Sequence, residues 1–379
     1  MIFIFNTTNK YMTLKDIKTT NERREYLEKT LNIKLDEIEK THQDDQNIHC
    51  ENLIGSTSLP LGVSGPLIIK NKQYFLPLAT TEGALVASVS RGCKTINLSG
   101  GATSFVENVG VTRGPVFETS GIKESMKFKN WLENNFKFIK TEAEKTSTHL
   151  RLKKLESNIV GIYVYVRFYF DTDQAMGMNM VTIATQSISQ FIEKSTKAKC
   201  LSVSGNFCID KKPAWINFLG GRGKRVWAEV ILKKEVVKEV LKTTPEKFFE
   251  VWLAKCMLGS VMSGSLGFNA HFANIVAAFY AATGQDLAHT VEGSMGITTS
   301  KVTKNGDLYV SVYLPAVMIG TVGGGTKLKT KQEALSIIGA KTSVELAEVL
   351  GGAVLAGEIS LLASLAEGTL ACAHEKLGR

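Results

Sequence analysis

Residues 161–170 alternate strictly, with Ile162, Val164, Val166, Phe168 and Phe170 on one face and Tyr163, Tyr165, Arg167 and Tyr169 on the other. Successive side chains of an extended chain point to opposite sides, so this period of two predicts a strand. Asp171, Thr172 and Asp173 then lead through Met176-Gly-Met-Asn179 into an apolar-periodic stretch reaching about Glu193, which reads as strand, turn, helix. Residues 308–314 alternate as well, and Gly323-Gly-Gly325 follows them. Residues 344–373 are rich in Leu and Ala at helical spacing, interrupted by Gly351, Gly352, Gly357 and Gly368. That pattern predicts a buried helix pair or one long close-packed helix. Residues 14–40 are charged and helix-friendly, with Leu27, Leu31 and Ile33 at mixed helical spacing, and predict a small helical N-terminal piece. From Glu51 onward, Gly55, Pro60, Gly62, Gly65 and Pro66 punctuate short apolar runs, as in a loop crossing a binding face.

Composition narrows the class. A chain of 379 residues has room for two or three domains with a large core, which excludes a small binding module. The formal charge of +9 points to acidic ligands, and a polyphosphorylated CoA-type molecule satisfies it as well as a nucleic acid does. The lysines are scattered rather than drawn into one stripe with interleaved aromatics, so nucleic acid is not expected as a partner. Six cysteines without a CxxC pair or metal-type spacing predict reduced thiols, a cytoplasmic location and no metal. The apolar start, Met1-Ile-Phe-Ile-Phe5, is far short of the ~20 residues that cross a bilayer, and no membrane span is assigned.

Several polar groups stand where chemistry could use them. Glu82 sits among small and apolar residues before the apolar run 84–89. Desolvation there would suit a general acid, while a carboxylate capping a helix N-terminus is the competing reading. Asp210, Lys211 and Lys212 precede Pro213 in a loop. Adjacent ammonium groups with a carboxylate can hold an anion and polarise a carbonyl oxygen, and a solvated lysine pair is the alternative. Asp286 follows a helix-like stretch, an unfavourable place for a bare carboxylate unless a cation answers it. His374 is the last histidine, either plain surface or a mobile proton donor. For a dinucleotide, the turn Met176, Gly177, Met178, Asn179 opens a helix after a strand, where backbone amides receive a pyrophosphate, and Gly323 and Gly324 permit close approach. Neither fits GxGxxG, so a Rossmann fold is excluded, and Gly220-Gly-Arg-Gly223 reads as a turn.

Over about residues 50–374 the chain resembles the class I 3-hydroxy-3-methylglutaryl-CoA reductases, in their archaeal-type, soluble branch. The resemblance rests on Glu51-Asn-Leu-Ile-Gly55, Pro77-Leu-Ala-Thr-Thr-Glu-Gly83, Thr112-Arg-Gly-Pro115, Ala175-Met-Gly-Met-Asn179, Val203-Ser-Gly-Asn206, Asp210-Lys-Lys-Pro213, Asn269-Ala-His271, Gly284-Gln-Asp286 and Gly320-Thr-Val-Gly-Gly-Gly325, all in the family's order. It implies an α+β fold: a helical N-terminal region (1–50), a large helix-centred domain for CoA and substrate (51–113 and 204–379), and an inserted ferredoxin-like cofactor domain (114–203). The reaction it implies is the four-electron reduction of 3-hydroxy-3-methylglutaryl-CoA to mevalonate and coenzyme A, with NADPH favoured and NADH the alternative. Glu82, Lys211, Asp286 and His374 would be catalytic, His374 from a C-terminal segment that closes over the site. Arg113, Ser204, Asp210, Lys212, Lys255 and Asn274 would bind substrate, and Ser88 and Arg91 would touch CoA. Ser147, Gln174, Met176, Gly177, Met178, Asn179, Gly323 and Gly324 would bind the cofactor. Active sites between subunits imply a dimer or a dimer of dimers.

Two positions depart from the pattern. Gln174 stands where the family has the Asp of its cofactor motif, and Thr148 where an arginine grips the 2′-phosphate of NADP, leaving Lys145, Arg151, Lys153 and Lys154 as nearby substitutes. A catalytically inactive CoA-thioester-binding homologue, acting as sensor or scaffold, is the competing functional reading.

Overall fold

The structure, a computed structural model, describes residues 14–41 and 50–368. The chain folds as two units, one up to Pro60 and one from Leu61 onward. In the first, the helix Thr20–Leu31 starts with a reciprocal capping box between Thr19 and Glu22 and ends at Asn32 in the left-handed conformation. Buried Arg24 donates to the Ile54 carbonyl at 3.0 Å and pairs with Glu39 at 3.2 Å on the second helix, Asp36–Thr41.

In chain order the strands of the larger unit are β1 (Leu61–Ile69), β2 (Lys72–Ala79), β3 (Thr103–Arg113), β4 (Val116–Glu118), β5 (Arg151–Val160), β6 (Tyr163–Asp171), β7 (Lys199–Ser202), β8 (Gly223–Leu232), β9 (Gly267–Phe268), β10 (Gly296–Val302) and β11 (Leu308–Val317). β1 and β2 form a hairpin. The others form one mixed sheet in the order β7-β4-β6-β3-β8-β11-β10-β9, with β5 paired along the whole length of β6. The alternation at 161–170 appears as β6, with Val164, Val166, Phe168 and Phe170 buried in one core; Arg167 and Tyr169 on the opposite face are buried too. That core lies between β3 to β7 and the helices Ile122–Asn134, Phe136–Glu144 and Met178–Ser195.

A larger core surrounds the helix Ser343–Glu367, a single rod rather than a pair, with Gly351, Gly352 and Gly357 within it. By length and hydropathy this helix could cross a membrane, which the sequence reading did not assign, but it is sheathed by protein: 83% of its most apolar window is buried. The helix Leu85–Leu98 crosses it so closely that a Cβ on Gly92 would lie 1.9 Å from the Ala356 carbonyl oxygen. Neither backbone can yield without moving a helix. Gly92→Ala is therefore expected to cost about 1–3 kcal/mol, read as a lower midpoint in denaturant melts.

Candidate active site

The loop 204–213 follows β7 and is tightly bent: Asn206, Ile209 and Lys211 all have positive φ, at 60°, 46° and 57°. Side-chain-bearing residues adopt that region only when their surroundings hold them there. The bend carries the Lys211 ammonium to 2.8 Å from Asp286 Oδ2. Asp286 lies just past the apolar helix Phe272–Thr283, which Gly284 ends in the left-handed conformation. The cation demanded by a carboxylate at a helix end is thus Lys211. Asp286 also accepts from the Ala288 amide at 3.0 Å. Burial pushes the Asp286 carboxyl up, but Lys211, the Ala288 amide and His289 outweigh it and hold it below the usual carboxylate range. The bond to Asp286 raises the Lys211 ammonium above its ordinary value.

Beneath this pair lies a buried charge network that the sequence reading missed. Arg222, fully buried, donates to Thr112 Oγ1 and Asp210 Oδ1, each at 3.0 Å, to Glu292 Oε1, and to Met178 Sδ at 3.1 Å. Glu292 Oε1 also faces His289 Nδ1 at 2.8 Å and accepts from the Lys211 amide at 3.3 Å. Asp210 is further held by Arg113, 3.6 Å away. Asp210, His289 and Glu292 are spaced as a metal would want them, but the Arg222 guanidinium bonds both carboxylates and is the cation there. The one hint in the sequence was an arginine flanked by glycines in the stretch read as a turn.

Glu82 precedes the helix Leu85–Leu98, which has no side-chain cap, and its carboxylate instead accepts from Asn274 Nδ2 at 2.8 Å. The capping reading is therefore not the one adopted. Behind it, Ser88 Oγ and Arg91 Nε both meet buried Ser360 Oγ at 3.0 Å. Lys255 is exposed on the π-helical turn Leu253–Gly259, Lys212 folds back to the Asp210 carbonyl at 3.2 Å, and Ser204 Oγ lies 3.6 Å from Cys208 Sγ. Asn274 and Asp286 belong to opposite ends of one helix. At 1.5 Å per residue, about 14 Å separates Asn274 from the last helical residue. Among the described residues, no hydrogen bond or ion pair joins Glu82 to Lys211 or Asp286. His374 lies outside the described residues.

The dinucleotide candidates converge. A bridge between Ala175 and Val322 brings the Met176–Gly177 turn beside the Gly323–Gly324 loop. A Cβ on Gly320 would stand 2.4 Å from the Met176 amide nitrogen, so only glycine permits the approach. Gly177, with φ of 85°, opens the helix Met178–Ser195 without a side-chain cap, while Gly323 and Gly324 face open space. A cavity of about 330 Å³ adjoins, lined among others by Thr148, His149, Arg151, Asp171, Asp173 and Gln174. Gln174 Oε1 accepts from the Ser343 amide at 2.7 Å, so its side chain also staples the start of the long helix. Ser147 Oγ accepts from the His149 amide at 3.2 Å on the same rim. Open glycine loops, an uncapped helix start and a cavity lined by Arg151 fit a phosphate-bearing cofactor, and Asp171 and Asp173 line the same cavity.

Fold and geometry together describe an α+β protein in which an acid, a lysine and an aspartate are set by one apolar helix beside facing glycine loops. The chain belongs to the hydroxymethylglutaryl-coenzyme A reductase family, whose profile matches residues 19–379. It is 48% identical to the 3-hydroxy-3-methylglutaryl-coenzyme A reductase of Methanothermobacter thermautotrophicus, over 94% of this chain and 92% of that one. With the Methanocaldococcus jannaschii enzyme of the same name it shares 47%, over 95% and 93%. The class II reductase of Streptococcus pneumoniae, solved bound to NADPH in open conformations, has the same fold: TM-score 0.71 at 18% identity, covering 92% of this chain and 97% of that one.

The shifts at the ion pair set a pH window. Asp286, depressed, contributes stability that is present above the unfolded aspartate value of about 3.9 and is lost as pH falls through its lower folded value. Lys211, raised, contributes stability that is present below its unfolded value of about 10.4 and is lost as pH rises through its higher folded value. The melting-temperature gap between the wild type and Lys211→Met is expected to be small, because water screens the half-exposed pair. It should stay level through neutrality and close as pH drops below about 4.

Proposed function

We propose that the chain reduces 3-hydroxy-3-methylglutaryl-CoA to mevalonate and coenzyme A with two equivalents of reduced nicotinamide dinucleotide, as a soluble, archaeal-type class I enzyme of the cytoplasm. The observation that carries this is the Lys211–Asp286 pair, half-exposed at the mouth of the bent loop 204–213 and backed by buried charge. The subtype rests on the identity to methanogen reductases. A catalytically inactive CoA-binding homologue is not favoured.

In this reading Arg113, Ser204, Asp210 and Lys212 grip the substrate's carboxylate and hydroxyl, with Lys255 and Asn274 from the other half of the site. Ser88 and Arg91 lie towards CoA. The dinucleotide, held by Met176 to Asn179, Gly323, Gly324, Ser147 and Gln174, supplies hydride when bound. The Lys211 ammonium faces the carbonyl oxygen and stabilises the oxyanion that develops on it. Asp286 keeps that ammonium charged and aimed. Glu82 gives a proton to the aldehyde-level oxygen, and His374 gives one to the departing CoA thiolate. Domain limits of 1–50, 51–113 with 204–379, and 114–203 go with these roles. Support for the insert is its chain order β4, helices, β5, β6, helix, β7 with spatial order β7-β4-β6-β5, a ferredoxin-like arrangement.

NADPH is the favoured donor on the net charge of +9 and on Arg151 and His149 at the cavity. NADH is the second reading, since Asp171 and Asp173 line the same cavity and carboxylates suit ribose hydroxyls better than a 2′-phosphate.

The partner that completes the site is a second copy. Glu82 and Lys211 serve one carbonyl in the reaction, yet one chain holds them towards opposite ends of a helix. The open sheet face beside the Lys211 loop carries exposed Phe105 and Trp227 in register with Tyr313, and continues to exposed Trp215 and Leu219. An apolar face of this kind calls for a protein cover.

Mevalonate formation should be seen with NADPH, NADH or both, and should collapse in Lys211→Ala and His374→Ala. Mixing Glu82→Gln with Lys211→Ala subunits restores activity only if each site draws on two chains. A random mixture of dimers would then recover up to about a quarter of wild-type turnover, because half the dimers are mixed and each holds one intact site. Wild-type protein that binds the thioester without turnover would overturn the reductase reading.

A further inference from the structure

His289 has no role in the mechanism above, yet it is fully buried directly behind the reacting pair. Asp286 caps the short turn Leu287–His289 and Glu292 lies one helical turn further on, so the three side chains share one side of the segment. The imidazole is clamped at one nitrogen: Nδ1 is 2.8 Å from Glu292 Oε1, which Arg222 anchors. Its other nitrogen is buried with no hydrogen-bond partner and stands 3.7 Å from Asp286 Oδ2, the oxygen that holds Lys211.

A buried ring nitrogen left without a partner is costly, and one aimed at a carboxylate oxygen is placed to donate to it after a shift of well under about 1 Å. Bonds of catalytic groups are commonly long before the substrate arrives and tighten with it. We propose that His289 is a positioning residue of the reductase centre: held at Nδ1 by Glu292, it presents Nε2 to Asp286 and so fixes the carboxylate that aims Lys211. The chain of contacts is Arg222, Glu292, His289, Asp286, Lys211.

The imidazole faces Asp210 from the bent loop and Asp286 and Glu292 from its own segment; the Lys211 amide and Arg222 both bond Glu292, and Tyr280 of the apolar helix feels the charges of Glu292, Arg222 and Asp286. Arg222 and Lys211 offset two of the three carboxylates, and His289 donates to Glu292 and Asp286 together only as the imidazolium, with a hydrogen on each ring nitrogen, which offsets the third. His289 acts against protonation of Asp286, in line with Lys211 and the Ala288 amide. Its loss should make Asp286 easier to protonate and weaken its hold on Lys211 in the transition state more than in substrate binding.

This inference rests on the reductase reading, and wild-type turnover is the control that separates the two. Without turnover in the wild type, the reading itself fails and takes the role of His289 with it. With turnover, His289→Gln, which keeps the volume and an amide donor, is compared with wild type after melting temperature and oligomeric state are matched. The expected result is a kcat lowered about tenfold or more with KM for the thioester within about twofold, and an acid limb of the kcat profile moved up by about 0.5 pH or more. In His289→Ala, added imidazole should recover part of kcat. A wild-type kcat and profile in His289→Gln would overturn the proposal. So would a loss shared between kcat and KM with an unmoved acid limb and no imidazole rescue, since that is what a merely structural side chain would give.

Discussion

The guanidinium of Arg222 is the interaction on which the rest of the site depends. A fully buried cation is tolerated only with its charge and its donors answered, and removing one partner of such a set leaves an uncompensated charge that costs about 3–5 kcal/mol. Arg222 is answered by Asp210 from the bent loop 204–213, Glu292 from the segment after Asp286, Thr112 from β3 and Met178 at the start of the helix Met178–Ser195. Each bond fixes a different element, so the geometry of Lys211 and of the glycine turn at Gly177 is set by one buried charge. The positive φ values at Ile209 and Lys211 belong to the same constraint: the loop reaches both Arg222 and Asp286 only when sharply bent.

The second organising element is the helix Ser343–Glu367. Its first amide bonds Gln174 beside the facing glycine loops. Midway, buried Glu358 accepts from the amides of Ala270 and His271, each at 2.8 Å, and so fixes the start of the helix that carries Asn274. Ser360 and Ser364 then hold Arg91. At 1.5 Å per residue these points span roughly 30 Å on one rigid rod. A rod buried on all sides transmits displacement with little loss. The glycine loops at Gly177 and Gly323, the Glu82–Asn274 pair and Arg91 therefore share one frame.

Elements with a strong period were legible in the sequence. The strand at 161–170 and the long apolar helix carry their signal locally, as does the capping box at Thr19 and Glu22, which the sequence reading did not use. Lys211 and Asp286 stood out because a loop lysine and a helix-end carboxylate each lack a local partner, and each supplies what the other lacks. Arg222, His289 and Glu292 did not stand out, because their meaning is tertiary: a glycine-flanked arginine reads as a turn, and a histidine three residues before a glutamate reads as a helix surface until burial is known. Gln174 gave half its signal. Its departure from the family pattern was visible, but its bond to the Ser343 amide joins residues far apart in the chain and no spacing rule reaches that far.

The two halves of the site also differ in their need for cover. Glu292 and Arg222 already sit in a low-dielectric interior, whereas the side chains of Lys211 and Asp286 retain 40% and 35% of their exposure. An ion pair at 2.8 Å in water-like surroundings is worth little, and its field on a developing oxyanion is screened in the same proportion. The same pair with water displaced acts at several times the strength. In the proposed reaction, covering by a second copy would therefore do two things at one surface. It would bring Glu82 to the carbonyl that Lys211 faces, and it would dry the pair that has to stabilise charge there. In that reaction a single chain would keep Lys211 aimed but wet, which would tie the chemistry to assembly and leave the lone subunit with little power to polarise a carbonyl.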